Sequence, residues 1–398
     1  MHPSMEIRNE ISRRLDGRVI VLGVTGSVAA VECFALIRDL IRHGAKVVPV
    51  MSAAAQDMVT PYALEFASGV PPITALTGQA EHVSLLGDCK GRADLFLVYP
   101  CTGNTISEMA CGIDNSPVST MAMVALGSQL PVLIAPAMHD CMLRNPAVAA
   151  NLEKLQEMGV KVLGPKRVDQ RAKVASRPEV VAQVLRALGK SDLEGMRVLV
   201  IGGRSEEPID DMRVITNRSS GSMTANLLEV CYERGAELEC WIGNTDVPMP
   251  SYVDCHRFHR TEELNVLAEG EDYDIVIVPA ALADFAPDPR SGKIPSDAGD
   301  LTLHLSTIPK FLPLMRDRCR LLVAFKAESG ASDEELVDRA RQRMDQQGSQ
   351  LTVANDISNA GKEEGRILLV TAEDSREVSG DKRDLAEAII DACVDMLR

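Results

Sequence analysis

The chain has 398 residues, 45% hydrophobic and 25% charged, which fits an ordinary globular protein with room for two or three cores. A formal net charge of -15 argues against a nucleic-acid surface, which needs a basic stripe. No charge-free apolar run reaches ~18 residues, so no membrane-spanning helix is expected.

The first segment, MHPSMEIRNEISRRLDG, has no apolar signal core and reads as a short helix. RVIVLGVTGSVAAVECFALIRDLIRHGAKVVPVMS follows. A β-branched run, a Gly-containing turn, a helical period and a second β run make this strand–turn–helix–strand. Strands are predicted at about 18–24, 45–51, 94–100, 131–135 and 160–163. Helices are predicted at 27–43, 53–67, 103–111, 117–126 and 146–158. Such alternation builds a doubly wound parallel sheet. Residues 165–178, polar and basic, read as a surface flap, and 178–188 as a last helix. The polar break GKSDLEG at 189–195 is the best boundary, dividing the chain into 1–190 and 191–398.

The second half restarts the pattern with RVLVIGG at 197–203. Its strands are predicted near 197–201, 238–242, 274–278, 321–325 and 351–354. The Pro-, Gly- and Asp-rich stretch 285–306 reads as a long functional loop leading into a strand or hairpin. The fold class is therefore α/β, with two doubly wound, Rossmann-like parallel-sheet domains. Ten cysteines occur without a Cys-x-x-Cys pair, which suits free thiols in the cytoplasm. Cys255-His256-x-x-His259 has ligand-like residue types but no fourth ligand nearby.

In the first half, small and polar residues fall where strands end. Gly26 and Ser27 open a helix, so backbone N–H groups there can meet a phosphate. Ser52 follows the second strand, Thr102-Gly103-Asn104-Thr105 the third, and Ala137-Met138-His139 the fourth. In a parallel sheet these ends share one crevice. The alternative for each Ser or Thr is a helix cap. Neither turn is GxGxxG, and no Walker A motif occurs.

The motifs GSVAA, EHVSL, PCTGNTISEMACGIDN and PAMHDCM resemble, in that order, those of flavin-containing Cys decarboxylases. DDMRVITNRSSGSM, AALADF, GKIP, AFKAES and VAND resemble phosphopantothenate–cysteine ligase. Together they resemble the bifunctional decarboxylase/ligase family of coenzyme A biosynthesis, over about 17–397. The resemblance implies a flavodoxin-like flavoprotein domain followed by a ligase domain. It implies CTP-dependent joining of 4′-phosphopantothenate to cysteine through an acyl-cytidylate. Decarboxylation to 4′-phosphopantetheine would follow, with flavin mononucleotide (FMN) as redox cofactor.

By this resemblance His82 is the active-site histidine, and FMN is held by Gly26, Ser27, Ser52, Thr102, Gly103, Asn104, Thr105 and Ala137. Met142 contacts substrate, and His139 stands where the family has a carboxylate-binding Asn. The flap lacks the family's proton-donating Cys, so Lys173, His139 or water must serve. Cys101 and Cys141 are read as packing residues. In the ligase half Asn217 would donate to the acyl intermediate, Arg213 meet a phosphate and Lys293 oppose triphosphate charge. CTP would be met by Val278, Pro279, Ala280, Asp284, Pro309, Lys310, Phe311, Leu312, Phe325 and Arg343. A family Lys is replaced by Gln347. Mg²⁺ is expected to accompany the triphosphate, and a homo-oligomer with trimeric decarboxylase and dimeric ligase contacts is implied. The competing readings are an NAD(P)-dependent oxidoreductase and a non-catalytic regulatory flavoprotein.

Overall fold

The computed structural model describes residues 2–164, 166–168, 171–295, 300–356 and 365–398. The chain divides into two compact units, Met1–Gly189 and Lys190–Arg398. Each has its own core.

The first unit is built on β1 (Val19–Val24), β2 (Lys46–Met51), β3 (Leu95–Cys101), β4 (Val132–Pro136) and β5 (Lys161–Val162). All pairs are parallel, in the order β2-β1-β3-β4-β5. β3 is buried along its whole length, as a strand covered on both faces must be. Side chains alternate between two cores. Ile20, Leu22, Leu97 and Tyr99 join one cluster, and Val21, Phe96 and Val98 join the other. The helix Cys33–Arg42 buries Cys33, Leu36, Ile37, Leu40 and Ile41, an i, i+3, i+4, i+7, i+8 stripe.

The boundaries differ in two places. The helix expected over 27–43 starts as a 3₁₀ turn, Val28–Glu32, before Cys33–Arg42. The one expected over 53–67 breaks into Ala53–Gln56 and Pro61–Ser68. Pro61 has no N–H to continue a helix and instead starts a new one, capped by the Thr60 hydroxyl. In the flap, β6 (Lys166–Val168) and β7 (Arg171–Lys173) pair antiparallel; the side chain of Lys173 lies outside the described residues.

The second unit contains β8 (Arg197–Gly202), β9 (Glu206–Pro208), β10 (Val214–Thr216), β11 (Glu237–Ile242), β12 (Cys255–Arg257) and β13 (Tyr273–Val278). It continues with β14 (Phe285–Pro287), β15 (Leu305–Thr307), β16 (Cys319–Glu328), β17 (Leu351–Asp356), β18 (Gly365–Val370) and β19 (Ser375–Gly380). The main sheet runs β12-β11-β8-β13-β16-β17-β18-β19. It is parallel from β12 to β17, but β18 and β19 are antiparallel. The sheet is thus mixed, with a hairpin edge that the strand–helix alternation did not anticipate. β15 is the strand expected after the loop near 285–306, and it pairs antiparallel with β14 at the start of that stretch.

In each unit a glycine at or just beyond the end of the first strand lets another segment close on it. A Cβ on Gly26 would lie 2.5 Å from the Cβ of Ala54. A Cβ on Gly202 would lie 2.7 Å from the Thr224 Cβ, in the first turn of the helix Ser222–Glu233. Gly202→Ala should therefore destabilise the second unit by about 1–3 kcal/mol through overpacking. Urea unfolding checks this; an unchanged midpoint would mean that the helix start gives way freely.

Candidate functional sites

In the first unit the crevice lies where the order turns from β1 to β3, the position at which 2-1-3-4-5 sheets take ligands. The buried Thr25 organises it. Its hydroxyl donates to Pro100 O at 2.7 Å and accepts from Thr102 N at 3.1 Å, tying the β1 turn to the β3 turn. Ser27, Ser52 and Thr102 each accept a hydrogen bond from the helix they open, from Ala29 N, Ala55 N and Thr105 N respectively. The capping role is therefore real at all three. A capping hydroxyl accepts through oxygen and keeps its proton, so capping does not prevent donation to a ligand. Gly103 opens its helix beside Met138, and Asn104, exposed, donates to Glu108 at 2.7 Å. Ala137 continues from β4, its N–H bonded to Cys101 O.

His82 sits in the helix Glu81–Leu86. Its position is fixed by Thr77, whose N–H and hydroxyl donate to the Glu81 carboxylate at 3.0 and 2.5 Å. These bonds hold the Glu81 carboxyl below its usual range. His82 is half-buried, and its Nδ1 is buried without a hydrogen-bond partner among the described residues. A buried polar atom without a partner is costly, so Nδ1 is set for a ligand. His139 and Met142 are exposed at and in the helix Asp140–Leu143. Together with the close-packed Gly26, these residues fit a phosphate-bearing flavin. Cys101 is buried, and burial pushes its thiol pKa up, as for a packing residue. Cys141 is exposed, so the packing reading fails there.

In the second unit a cavity of about 890 Å³ opens over the carboxyl ends of the parallel strands. It gathers Asn217, Val278, Pro279, Ala280, Asp284, Pro309, Lys310, Phe311, Leu312, Phe325 and Arg343. Lys310 and Asp284 form an ion pair across it. The extension of β8 knots the floor: Ala281 N donates to Gly203 O at 2.8 Å, and Arg204 N to Asn244 O at 3.0 Å. The Arg204 guanidinium then holds the Ser-Ser-Gly loop through Ser219 O at 2.5 Å and pairs with Asp246 at 2.8 Å.

Three expectations need correction or relocation. Asn217 Nδ2 donates to Ala281 O and Leu282 O at 3.2 and 3.0 Å. Its nitrogen is already engaged, so the atom left for a ligand is Oδ1, an acceptor. Arg213 is not among the cavity-lining residues; its guanidinium pairs with Asp210 at 2.5 Å and donates to Ile294 O at 3.2 Å. Lys293, exposed on the loop beyond, does not line the cavity either. Sequence reasoning missed Lys326, Asn355, Gln347 as a wall residue, and Lys382, all of which line it. The first two lay inside quoted motifs; Lys382, at the start of the last helix, had no motif signal. Among the described residues no cluster of three or more His, Cys, Asp or Glu side chains is placed to hold a metal.

Residues 8–189 match the Flavoprotein family, and residues 193–397 match the DNA/pantothenate metabolism flavoprotein C-terminal domain. A coenzyme A biosynthesis bifunctional protein, CoaBC, of Thermococcus kodakarensis is 42% identical over 97% of each chain. The chain belongs to the family of coenzyme A biosynthesis bifunctional proteins. Its counterpart in Methanocaldococcus jannaschii is 33% identical over 98% of this chain and 97% of that one. A crystal structure of the DNA/pantothenate metabolism flavoprotein from Streptococcus pneumoniae covers 51% of this chain and 100% of its own, at 22% identity and a TM-score of 0.47.

The buried carboxylate of Asp210 accepts from Ile294 N, Met212 N and Arg213 N. These bonds hold its pKa down to about 2. A depressed carboxylate stabilises the fold above its unfolded pKa of ~3.9, and the contribution is lost as pH falls toward the folded value. The difference in urea midpoint between wild type and Asp210→Asn should therefore hold steady from about pH 7 to 5 and shrink between about pH 4 and 2. A difference that grew on acidification would contradict the bonding described.

Proposed function

We propose that residues 191–398 join 4′-phosphopantothenate to cysteine using CTP, and that residues 1–190 decarboxylate the product to 4′-phosphopantetheine. The observation that carries this reading is the second-unit cavity, which gathers the family's CTP residues around Asn217 in a chain of this family. Neither half offers the GxGxxG turn of an NAD(P)-dependent oxidoreductase. The family's two activities and the fit of both sites favour catalysis over a purely regulatory flavoprotein.

In the ligase unit the carboxylate of phosphopantothenate attacks the α-phosphate of CTP, releasing pyrophosphate and giving an acyl-cytidylate. Lys310, Arg343 and Lys326 bring positive charge to the cavity wall in an otherwise acidic chain. Lys293, on the loop beyond the lining residues, opposes phosphate charge as it develops, a role that requires the triphosphate to extend past the cavity wall. The cysteine amine then displaces CMP. Asn217 Oδ1 accepts a hydrogen bond from that amine and aims it at the acyl carbon. Mg²⁺ would be held chiefly by the triphosphate oxygens and would neutralise part of their charge.

In the decarboxylase unit the β1/β3 crevice would hold FMN, which when bound would supply a two-electron oxidation of the substrate thiol and its reversal after CO₂ leaves. Gly26, Ser27, Ser52 and the Thr102–Thr105 turn would hold its phosphate and ring system. His82 takes the thiol proton at Nδ1, the atom left without a hydrogen-bond partner among the described residues. His139 and Met142 meet the substrate carboxylate and chain. Lys173 and His139 stand as the candidate donors of the final proton.

Val28 and Tyr62, 75% and 82% exposed, lie on the segments beside the crevice and suit a homo-oligomeric contact there. All ten cysteines are free, which agrees with a cytoplasmic protein.

His82→Asn should stop CO₂ release while pyrophosphate release continues at the wild-type rate. Lys293→Gln should do the reverse when phosphopantothenoylcysteine is supplied: CO₂ is released, yet CTP is not consumed. Asn217→Asp should still release pyrophosphate but slow amide formation by at least about tenfold. Loss of both activities in any one of the three would refute the assignment of separate sites.

A further inference from the structure

The loop that carries Lys293 is held by an acidic turn to which the proposed chemistry gives no role. Asp210 has a fully buried side chain. Its Oδ1 accepts from Met212 N at 2.8 Å and Arg213 N at 2.7 Å. Its Oδ2 accepts from Ile294 N at 3.0 Å and from Arg213 Nη1 at 2.5 Å. Asp211 Oδ2 accepts from Gly292 N at 3.0 Å. One residue further back, Arg290 N donates to Ile209 O at 3.0 Å. Lys293 is thus the single residue between two amides anchored to neighbouring carboxylates.

The chemistry of the anchor suits this task. A carboxylate offers about four lone-pair sites, and Asp210 uses one pair on its own turn and the other pair on the loop and Arg213. Charge-assisted bonds of this kind are short and strong. Neither 209–213 nor 290–294 contributes to the unit's hydrophobic clusters. The contact therefore joins loop to loop, outside the core. A lysine on an untethered loop would lose conformational freedom each time it met a phosphate.

We infer that Asp210 and Asp211 are positioning residues that hold Lys293 ready to oppose nucleotide phosphate charge, with Arg213 as the clasp between Asp210 and the Ile294 carbonyl. This rests on the ligase reading above. It also gives Arg213 a different task from direct phosphate binding.

Asp210→Asn is a selective test. The amide keeps an acceptor oxygen toward Met212 N and Arg213 N, but presents N–H groups where Oδ2 met Ile294 N and Arg213. The turn is preserved and the loop released. In the full-length protein, amide hydrogen exchange at Gly292 and Ile294 should rise by about tenfold or more. The kcat for pyrophosphate release from CTP and phosphopantothenate should fall by a similar factor, with KM for CTP changed by less than about twofold, since the lost interaction belongs to the transition state. Asp211→Ala, at an exposed position, should raise exchange at Gly292 and lower kcat in the same direction. Unchanged exchange in both variants would overturn the inference. So would faster exchange with wild-type kcat while Lys293→Gln is impaired. Wild-type protein that releases no pyrophosphate, or a fully active Lys293→Gln, would instead sink the ligase reading, even if exchange showed the loop released.

Discussion

Parallel strand pairing is the constraint on which both sites depend. When neighbouring strands run the same way, every carboxyl end lies on one edge, and each crossover must start a new helix there. That edge collects exposed N–H groups, short polar caps and glycines. In the first unit Thr25 binds the β1 and β3 turns into one floor. In the second, the β8 extension does the same through Gly203 and Arg204. Gly26 and Gly202 allow the second layer to close on that floor, because no Cβ fits there.

The charge pattern follows from what such edges must bind. The chain is strongly acidic, yet the proposed substrates are polyanions. The second-unit cavity meets this by concentrating Lys310, Lys326, Arg343 and Lys382 on its walls. Two of these are balanced by neighbouring carboxylates: Lys310 by Asp284, and Lys326 by Glu328 at 2.8 Å. Such pairs keep the cations in place without leaving uncompensated charge near an apolar wall. Arg366, also in the wall, is held between Asp333 and Glu377.

Much of the fold was legible because buried parallel strands read as continuous β-branched runs, and the helices covering them carry a clear period. The hairpin of β18 and β19 was missed because antiparallel partners need no crossover helix, so the alternation that marked the five predicted strands of that unit was absent there. Pro61 divides a helix across an apolar period that the sequence alone reads as continuous. The cavity residues from Val278 to Arg343 followed from the resemblance to the ligase family. The engagement of the Asn217 nitrogen and the tethering of the Lys293 loop depend on carbonyls and carboxylates distant in sequence, which no local pattern reveals. The exposure of Cys141 likewise depends on how a four-residue helix sits on the surface.

The central claim is that one chain carries two sites that hand on a single intermediate. The most direct measurement is to incubate the protein, loaded with FMN, with 4′-phosphopantothenate, cysteine, CTP and Mg²⁺, and to quantify products by mass spectrometry. The account predicts 4′-phosphopantetheine, CMP, pyrophosphate and CO₂ in equal amounts. CMP formation without CO₂, or release of CO₂ without nucleotide consumption, would contradict it.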